Sequence, residues 1–116
     1  SLTATQIADK TKAVIERLRS VHDEVAALPP ADATFENTLV RLSRASAEAD
    51  ALKASLYFPM YTSTSKEVRE ASQASSTALE EFGIEMGMRE DVFRMVKAVA
   101  DKIVGGAHPP LEGEDA

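Results

Sequence analysis

The sequence predicts an all-α fold of four principal helices in an antiparallel, bundle-like arrangement. Apolar residues recur every three or four positions along most of the 116 residues, which is the period of a helix face. Alternating apolar and polar runs rich in β-branched residues, which would indicate strands, are missing from the sequence. Prolines and capping residues divide the pattern, and they place the helices at about residues 4–28, 35–57, 65–87 and 88–104.

The first predicted helix starts at a capping box and ends at two prolines. Thr3 and Gln6 have the spacing at which each side chain accepts a hydrogen bond from the other residue's backbone N–H. Pro29 and Pro30 cannot continue the helical hydrogen-bond ladder. Thr11 fills a gap in a single apolar stripe that we expect to face the core, which consists of Ile7, Val14, Leu18, Val21, Val25 and Leu28.

The second and third predicted helices combine apolar faces with many small residues. Thr34 is the expected N-cap of the second helix, and Pro59 ends that helix. A capping box from Thr64 to Glu67 opens the third helix. Frequent alanine and serine let a neighbouring helix approach closely. The expected core residues of the two helices are Phe35, Leu39, Leu42, Ala49, Leu52, Leu56, Val68, Ala71, Ser75, Ala78, Leu79 and Phe82.

The stretch EFGIEMGMRED at 81–91 interrupts this regular pattern. Gly83 and Gly87 each cost about 1 kcal/mol relative to alanine inside a helix, so either close packing or a bend is expected to explain them. Glu85 and Arg89 stand four residues apart in the order that favours an ion pair on one helix. The stretch is therefore predicted to be a helix with a bend or short break, followed by a fourth helix.

The fourth predicted helix is apolar on two sides. Val92, Val96, Val99 and Ile103 form one stripe, and Phe93 begins a second apolar side. A surface helix needs only one buried face, so we expect the isolated chain to form a two-fold homodimer through its third and fourth helices. The candidate packing or interface residues are Phe82, Met86, Met88, Val92, Phe93, Val96, Val99 and Ile103.

Composition restricts the possible functions. The chain has 13 Lys and Arg against 19 Asp and Glu, a formal net charge of −6, which disfavours a general nucleic-acid binder. It has no cysteine, and no apolar run is long enough to span a bilayer, so no membrane partner is expected. Acidic residues after Pro109 and Pro110 resemble the start of another helix. We therefore expect the chain to be one helical domain or subdomain, 1–116, of a longer protein.

Residues able to perform chemistry are scarce. His22 and His108 are the two imidazoles, and the zinc motif H-E-x-x-H is not in the sequence. Arg19 occupies the position where a Glu-x-x-His metal pair with His22 would need glutamate. Asp23 and Glu24 next to His22 would repel a phosphoryl group, which disfavours phosphotransfer. The aromatic segment LYFPMY at 56–61 fits either a hydrophobic corner between helices or a peptide-binding patch.

Three segments together resemble one family of enzymes. They are TFENTL at 34–39, LYFPMYTSTSKEVREAS at 56–72 and EEFGIEMGMREDVF at 80–93. Their order and spacing are similar to those of the N-terminal helices in the thimet oligopeptidase and neurolysin family of zinc metallopeptidases, which includes fungal saccharolysin. The resemblance covers about residues 34–97, with residues 1–33 as the preceding helix. Gly83 and Gly87 depart from it, because the family usually has polar residues at those positions.

The resemblance implies a zinc-dependent oligopeptidase that hydrolyses short peptides inside a deep channel. This chain would be its N-terminal helical part and would contribute to the channel wall. The family's H-E-x-x-H helix lies further along the polypeptide, so no catalytic, cofactor-binding or metal residue is assigned here, and this chain alone is expected to be inactive. The implied partners are the rest of the peptidase and short peptides.

The resemblance implies a cytoplasmic location, and a mitochondrial form of the whole enzyme stays open. The alternative is a self-standing helical interaction module with no enzyme attached. Such a module would explain the helix faces and the scarcity of chemistry equally well. The acidic segment after Pro110, interpreted as the start of another helix, favours the peptidase over the module.

Overall fold

A computed structural model describes residues 2–107, and within this range it contains helices and turns and no strand. The all-α class predicted from the sequence is therefore confirmed. The predicted helix after Pro110 lies outside the described residues. The four principal helices are α1 (Ala4–Ala26), α2 (Arg41–Tyr57), α4 (Lys66–Gly87) and α5 (Glu90–Lys102). The shorter elements are a 3₁₀ turn (Pro30–Asp32), π-helical turns (Glu36–Val40 and Ile103–Ala107) and the one-turn helix α3 (Pro59–Thr62).

Helix α1 begins at the predicted capping box. The Gln6 N–H donates to Thr3 Oγ1 at 3.1 Å, and the Thr3 N–H donates to Gln6 Oε1 at 2.9 Å. The helix ends at Ala26, two residues before the predicted end, because the Leu28 N–H already bonds to the Val25 carbonyl in a tighter turn. The residues buried along α1 are Ile7, Thr11, Val14, Val21 and Val25.

The entry to α2 is fixed by a second reciprocal cap. The Asn37 N–H donates to Thr34 Oγ1 at 3.1 Å, and the Thr34 N–H donates to Asn37 Oδ1 at 2.7 Å. Thr34 is therefore the cap that the sequence predicts. The first turn is π-helical, with the Val40 N–H bonded to the Phe35 carbonyl at 3.1 Å. Phe35, an expected core residue, is 51% exposed, so that expectation is wrong.

The N-cap of helix α4 lies one residue later than predicted. Ser65 is the N-cap, and its Oγ accepts the Val68 N–H at 3.3 Å. Thr64 does not serve this role, because the Ser65 N–H is held by the Ser63 hydroxyl at 3.1 Å and the chain turns at Ser65. The predicted box between Thr64 and Glu67 is wrong by this one-residue shift.

Cross-helix contacts give the directions of α1 and α2. Arg17 pairs with Glu48 at 3.5 Å, and Glu24, further along α1, pairs with Arg41, at the start of α2. Positions that come later on α1 therefore meet positions that come earlier on α2. The two helices are antiparallel, as predicted for sequential neighbours.

Helix α4 runs parallel to α1. Thr11 Oγ1 lies 2.5 Å from Ser75 Oγ, and further along both helices Arg19 pairs with Glu85 at 3.5 Å. Since α2 is antiparallel to α1, it is also antiparallel to α4. The three helices form an up-down-up arrangement. The corner at α3 joins α2 to α4.

Helix α5 continues beyond α4 rather than folding back along it. It packs on α1 and on the 30–40 segment. Lys102 Nζ donates to the carbonyls of Pro30 and Ala33, both at 2.7 Å, and so ties the end of α5 to the loop after α1. The described chain is consequently long and narrow, with extents of 66 × 28 × 19 Å.

The core has two clusters that follow one another along α1. One cluster joins α1, α2, α5 and the loop at 33, and consists of Val21, Val25, Ala33, Ala45, Met95 and Val99. The other joins α1, α2 and α4, and consists of Ile7, Val14, Ala49, Leu56 and Leu79. Both clusters depend on the same stripe of α1. Leu52, expected in the core, is 51% exposed, so its assignment is wrong.

The two leucines of α2 provide a matched test of this core. Leu56 is 1% exposed and Leu52 is 51% exposed on the same helix. Leu56→Ala is expected to lower the free energy of unfolding by about 2–5 kcal/mol, because it removes packed methyl groups and leaves a cavity. Leu52→Ala, the control, is expected to cost about 1 kcal/mol or less. Urea denaturation measures both, and equal losses would contradict this description of the core.

Candidate functional site

The stretch singled out in the sequence contains the junction between α4 and α5. Helix α4 ends at Gly87, and the Met88 N–H donates to the carbonyls of Ile84 and Glu85 at 3.1 and 3.2 Å. Arg89 is extended, with φ −73° and ψ 113°, and α5 starts at Glu90. The predicted short break is therefore present, and it occupies residues 88 and 89.

The two glycines of this stretch are not sites of close packing. A Cβ added at Gly83 or Gly87 would meet no neighbouring atom within 4 Å, and both residues are exposed. Gly83 lies in an uninterrupted part of α4, whereas Gly87 is the last residue of that helix. The packing explanation is therefore wrong for both, and the break explanation fits Gly87 alone.

Arg89 holds the junction against α1. Its Nη1 lies 2.6 Å from Asp23 Oδ1 on α1, and its Nη2 and Nε donate to Asp91 at 2.7 and 3.0 Å. Asp91 Oδ1 also accepts the Val92 N–H at 2.8 Å. The predicted Glu85–Arg89 pair is wrong, because the break removes Arg89 from the α4 surface and Glu85 pairs with Arg19 instead.

The Arg89 cluster, which consists of Arg89, Asp23 and Asp91, shifts the pKa of two of its members. Hydrogen bonds from Arg89 are the main cause that lowers the pKa of Asp91 from 3.8 to about 2, and the Val92 N–H adds to the effect. Hydrogen bonds to Asp91 and then to Asp23 raise the pKa of Arg89 above its ordinary value. Arg89 and Asp91 are therefore charged at neutral pH. The cluster is a fixed ion-pair network, not a proton donor or acceptor for catalysis.

The candidate packing or interface residues do not share one surface. Phe82, Met86, Val92 and Val99 are buried and belong to the core side of α4 and α5. Val96 is half-buried. The exposed members are Met88 at 74%, Phe93 at 64% and Ile103 at 40%.

The aromatic corner divides into buried and exposed parts. Leu56 is 1% exposed and Tyr57 is half-buried, whereas Phe58 and Tyr61 are 65% and 78% exposed. The Ser72 hydroxyl, buried on α4, donates to the Leu56 carbonyl at 2.5 Å and closes the corner. Beside it an open cavity of about 900 Å³ is lined partly by Phe58 and by the hydroxyl-rich segment 62–65. The hydrophobic-corner interpretation fits Leu56 and the half-buried residues 57, 59 and 60, but it does not fit the exposed Phe58 and Tyr61.

Metal-ligating chemistry has little support among residues 2–107. No group of three or more His, Cys, Asp or Glu side chains there is arranged to hold a metal ion. His22 Nδ1 lies 2.7 Å from the Leu18 carbonyl, which is a local contact on α1. His108 lies outside the described residues. Among the helices in that range, none is long and apolar enough to cross a membrane.

Sequence reasoning missed Asp23 and Ser72 as organising residues. Both act through partners far away in the chain, at separations of 66 and 16 residues. Helical periodicity reports which residues share a face, but it does not report which face meets which partner. Asp23 was considered only as a neighbour of His22. A serine in an alanine-rich helix was the one available signal for Ser72.

Comparisons with known proteins connect the chain to a peptidase. No protein-family model matches it. A protein of Arabidopsis thaliana named "Probable thimet oligopeptidase" is 29% identical over 102 residues, which are 88% of this chain and 14% of that protein. The chain thus spans about one seventh of this relative's length. It is similar to a segment of a thimet oligopeptidase, in agreement with the resemblance of its three motifs.

The Arg89 cluster predicts a specific pH dependence of stability. The pKa of Asp91 is lowered to about 2 in the fold. Its contribution to the free energy of unfolding is therefore complete above about pH 4. The contribution is lost as the pH falls from about 4 towards 2. Asp91→Asn should therefore destabilise the chain at neutral pH, and its difference from wild type should shrink over that window in urea denaturation. Repeating the substitution in an Arg89→Gln background is the control, and an unchanged difference there would contradict the pairing.

Replacing Gly83 is expected to stabilise the chain. Gly83→Ala is expected to raise the free energy of unfolding by about 0.5–1 kcal/mol, because alanine restricts the unfolded chain and favours a helix interior. The added methyl group has open space around it. Gly87→Ala, at the last residue of α4, is the matched control and should gain less. A loss of stability in Gly83→Ala would show that the backbone at Gly83 is not regular helix.

Proposed function

We propose that this chain is the N-terminal helical part of a zinc-dependent oligopeptidase that hydrolyses short peptides. The observation that carries the proposal is the 29% identity to a thimet oligopeptidase over 88% of the chain. The three motifs at 34–39, 56–72 and 80–93 support it, since they share order and spacing with that family. The rest of the peptidase and its peptides are the proposed partners, in the cytoplasm.

The motif residues have structural roles that suit a rigid segment. Thr34 and Asn37 of the first motif cap the entry to α2. Ser72 of the second motif closes the aromatic corner, and Arg89 and Asp91 of the third hold the α4–α5 junction. A wall that admits short peptides and excludes folded proteins needs a stiff shape rather than reactive groups. These contacts support the proposed wall role because they fix the directions of the helices.

The zinc of the proposed enzyme is not assigned to this chain. The described residues do not fit a zinc site, since no three potential ligands are gathered in them. Zinc in such an enzyme activates water for attack on a peptide carbonyl. The ligands would come from an H-E-x-x-H helix elsewhere in the polypeptide. The residues described here would shape and position the substrate channel.

The full-length coding frame allows a direct test. We expect it to encode H-E-x-x-H, and we expect the purified protein to cleave a short quenched peptide and to leave a folded protein intact. A zinc chelator should abolish cleavage and added zinc should restore it. Glu→Gln in the motif should lower the rate by about 10²–10⁴-fold, because it removes the general base. The 116-residue chain alone should cleave nothing.

Other outcomes separate the two candidate functions. A full-length frame without the zinc motif would contradict the peptidase and favour the helical interaction module. Cleavage that continues in the presence of a zinc chelator would contradict zinc chemistry but would still agree with a peptidase. Cleavage by the 116-residue chain alone would contradict the proposal that the catalytic residues lie elsewhere in the polypeptide.

A further inference from the structure

An open apolar groove runs between α1 and α2. Its cavity of about 230 Å³ is lined mainly by apolar atoms, with Ala13 on one wall, Ala49 on the other and Leu52 at the edge. A neighbouring cavity of about 330 Å³ shares Arg17 and Glu48 with it and continues the groove towards the start of α2. We call the whole feature the α1–α2 groove. Small alanine side chains leave it open, and Leu52 is half exposed beside it.

The rim of the α1–α2 groove is positively charged in a chain whose net charge is −6. Four cations line its two cavities, against two carboxylates, Glu36 and Glu48; the cations are Lys10, Arg17, Arg41 and Arg44. Arg17 and Arg41 pair with glutamates. Lys10 and Arg44 have no ion-pair partner within residues 2–107. The unpaired Lys10 therefore leaves positive charge at one end of the groove, whereas Arg44 lines the other cavity together with Glu36.

The outer side of α4 has the complementary character. Ile84 and Met88 are 64% and 74% exposed, and they stand four residues apart at the end of the helix. Glu80 and Glu81 lie in the preceding turn, are exposed, and have no ion-pair partner among the described residues. We call these four residues the α4 ridge. The ridge lies opposite the buried side of α4, which carries Leu79, Phe82 and Met86.

We propose that the α4 ridge of one molecule docks into the α1–α2 groove of a second copy. Ile84 and Met88 insert along Ala13, Ala49 and Leu52, in the manner of helix-in-groove recognition. The ridge glutamates face the cations at the groove rim, so both the apolar contact and the charges match. This association does not depend on the proposed peptidase function.

The size of the apolar cavity in the groove favours the side chains of a helix over a small molecule. Small-molecule pockets usually enclose about 300–1,000 Å³, whereas the apolar cavity here is about 230 Å³ and open. Two apolar anchors make a small interface, so we expect weak association with a dissociation constant on the order of 100 µM. The two surfaces are different, so each docked copy still presents a free ridge or groove. The assembly therefore grows beyond a dimer unless it closes into a ring.

Two variants test the pairing by complementation. Leu52→Glu places a carboxylate in the groove, and Met88→Glu removes an apolar anchor from the ridge. Both positions are at least half exposed, so both variants should fold, which circular dichroism checks. Each variant alone is expected to be monomeric in sedimentation equilibrium. An equimolar mixture should form a one-to-one dimer and stop there, because only one intact ridge–groove pair remains.

The mass of the wild-type chain should rise above the monomer with concentration, and salt should weaken the association because the charges are exposed. Ala47→Glu, an exposed change on the other side of α2, is the control and should associate like wild type. A monomeric wild type at about 1 mM would overturn the proposal. So would a mixture of the two variants that stays monomeric, or single variants that each associate like the wild type, as a two-fold contact through α5 would produce.

Discussion

The fold depends on the single buried stripe of α1. Helices α2 and α4 pack on it from two sides, and α5 packs on its far end, so both core clusters contain α1 residues. The stripe includes one hydroxyl, Thr11, which bonds to the Ile7 carbonyl and meets Ser75 of α4 at 2.5 Å. The Ser75 hydroxyl is buried as well, and leaving it without a partner would cost about 1–3 kcal/mol, so its contact with Thr11 favours this placement of α4 along α1.

The break at residues 88 and 89 decides where α5 goes. Arg89 bonds at once to Asp23 of α1 and to Asp91 of α5, so the junction is held from both sides. Helix α5 then reaches the end of α1, and Lys102 holds it to the loop at 30–33. This path lengthens the molecule instead of adding a fourth helix beside the other three. It also leaves the outer side of α4 uncovered within the described residues.

Local signals in the sequence predicted the fold class, the caps at Thr3 and Thr34, and the buried stripe of α1, because each depends on residues a turn apart. Prediction failed where a distant partner decides. Leu52 and Phe35 repeat with helical spacing, yet about half of each residue stays exposed. The spacing predicts an ion pair between Arg89 and Glu85, four residues away, but Arg89 pairs with Asp23 on α1. Likewise, periodicity selected the candidate interface residues without showing which of them face the core.

The two faces of this elongated chain have different consequences for the proposed function. The α1–α2 groove is apolar with a positive rim, and the outer side of α4 is apolar with acidic neighbours. A channel wall can present one such face to peptides, while the remainder of the enzyme covers the other. A second copy seated in the groove would occupy the same surface that a peptide, or another part of the enzyme, would need. Self-association through the groove and a peptide-facing role for it therefore exclude each other at any one moment.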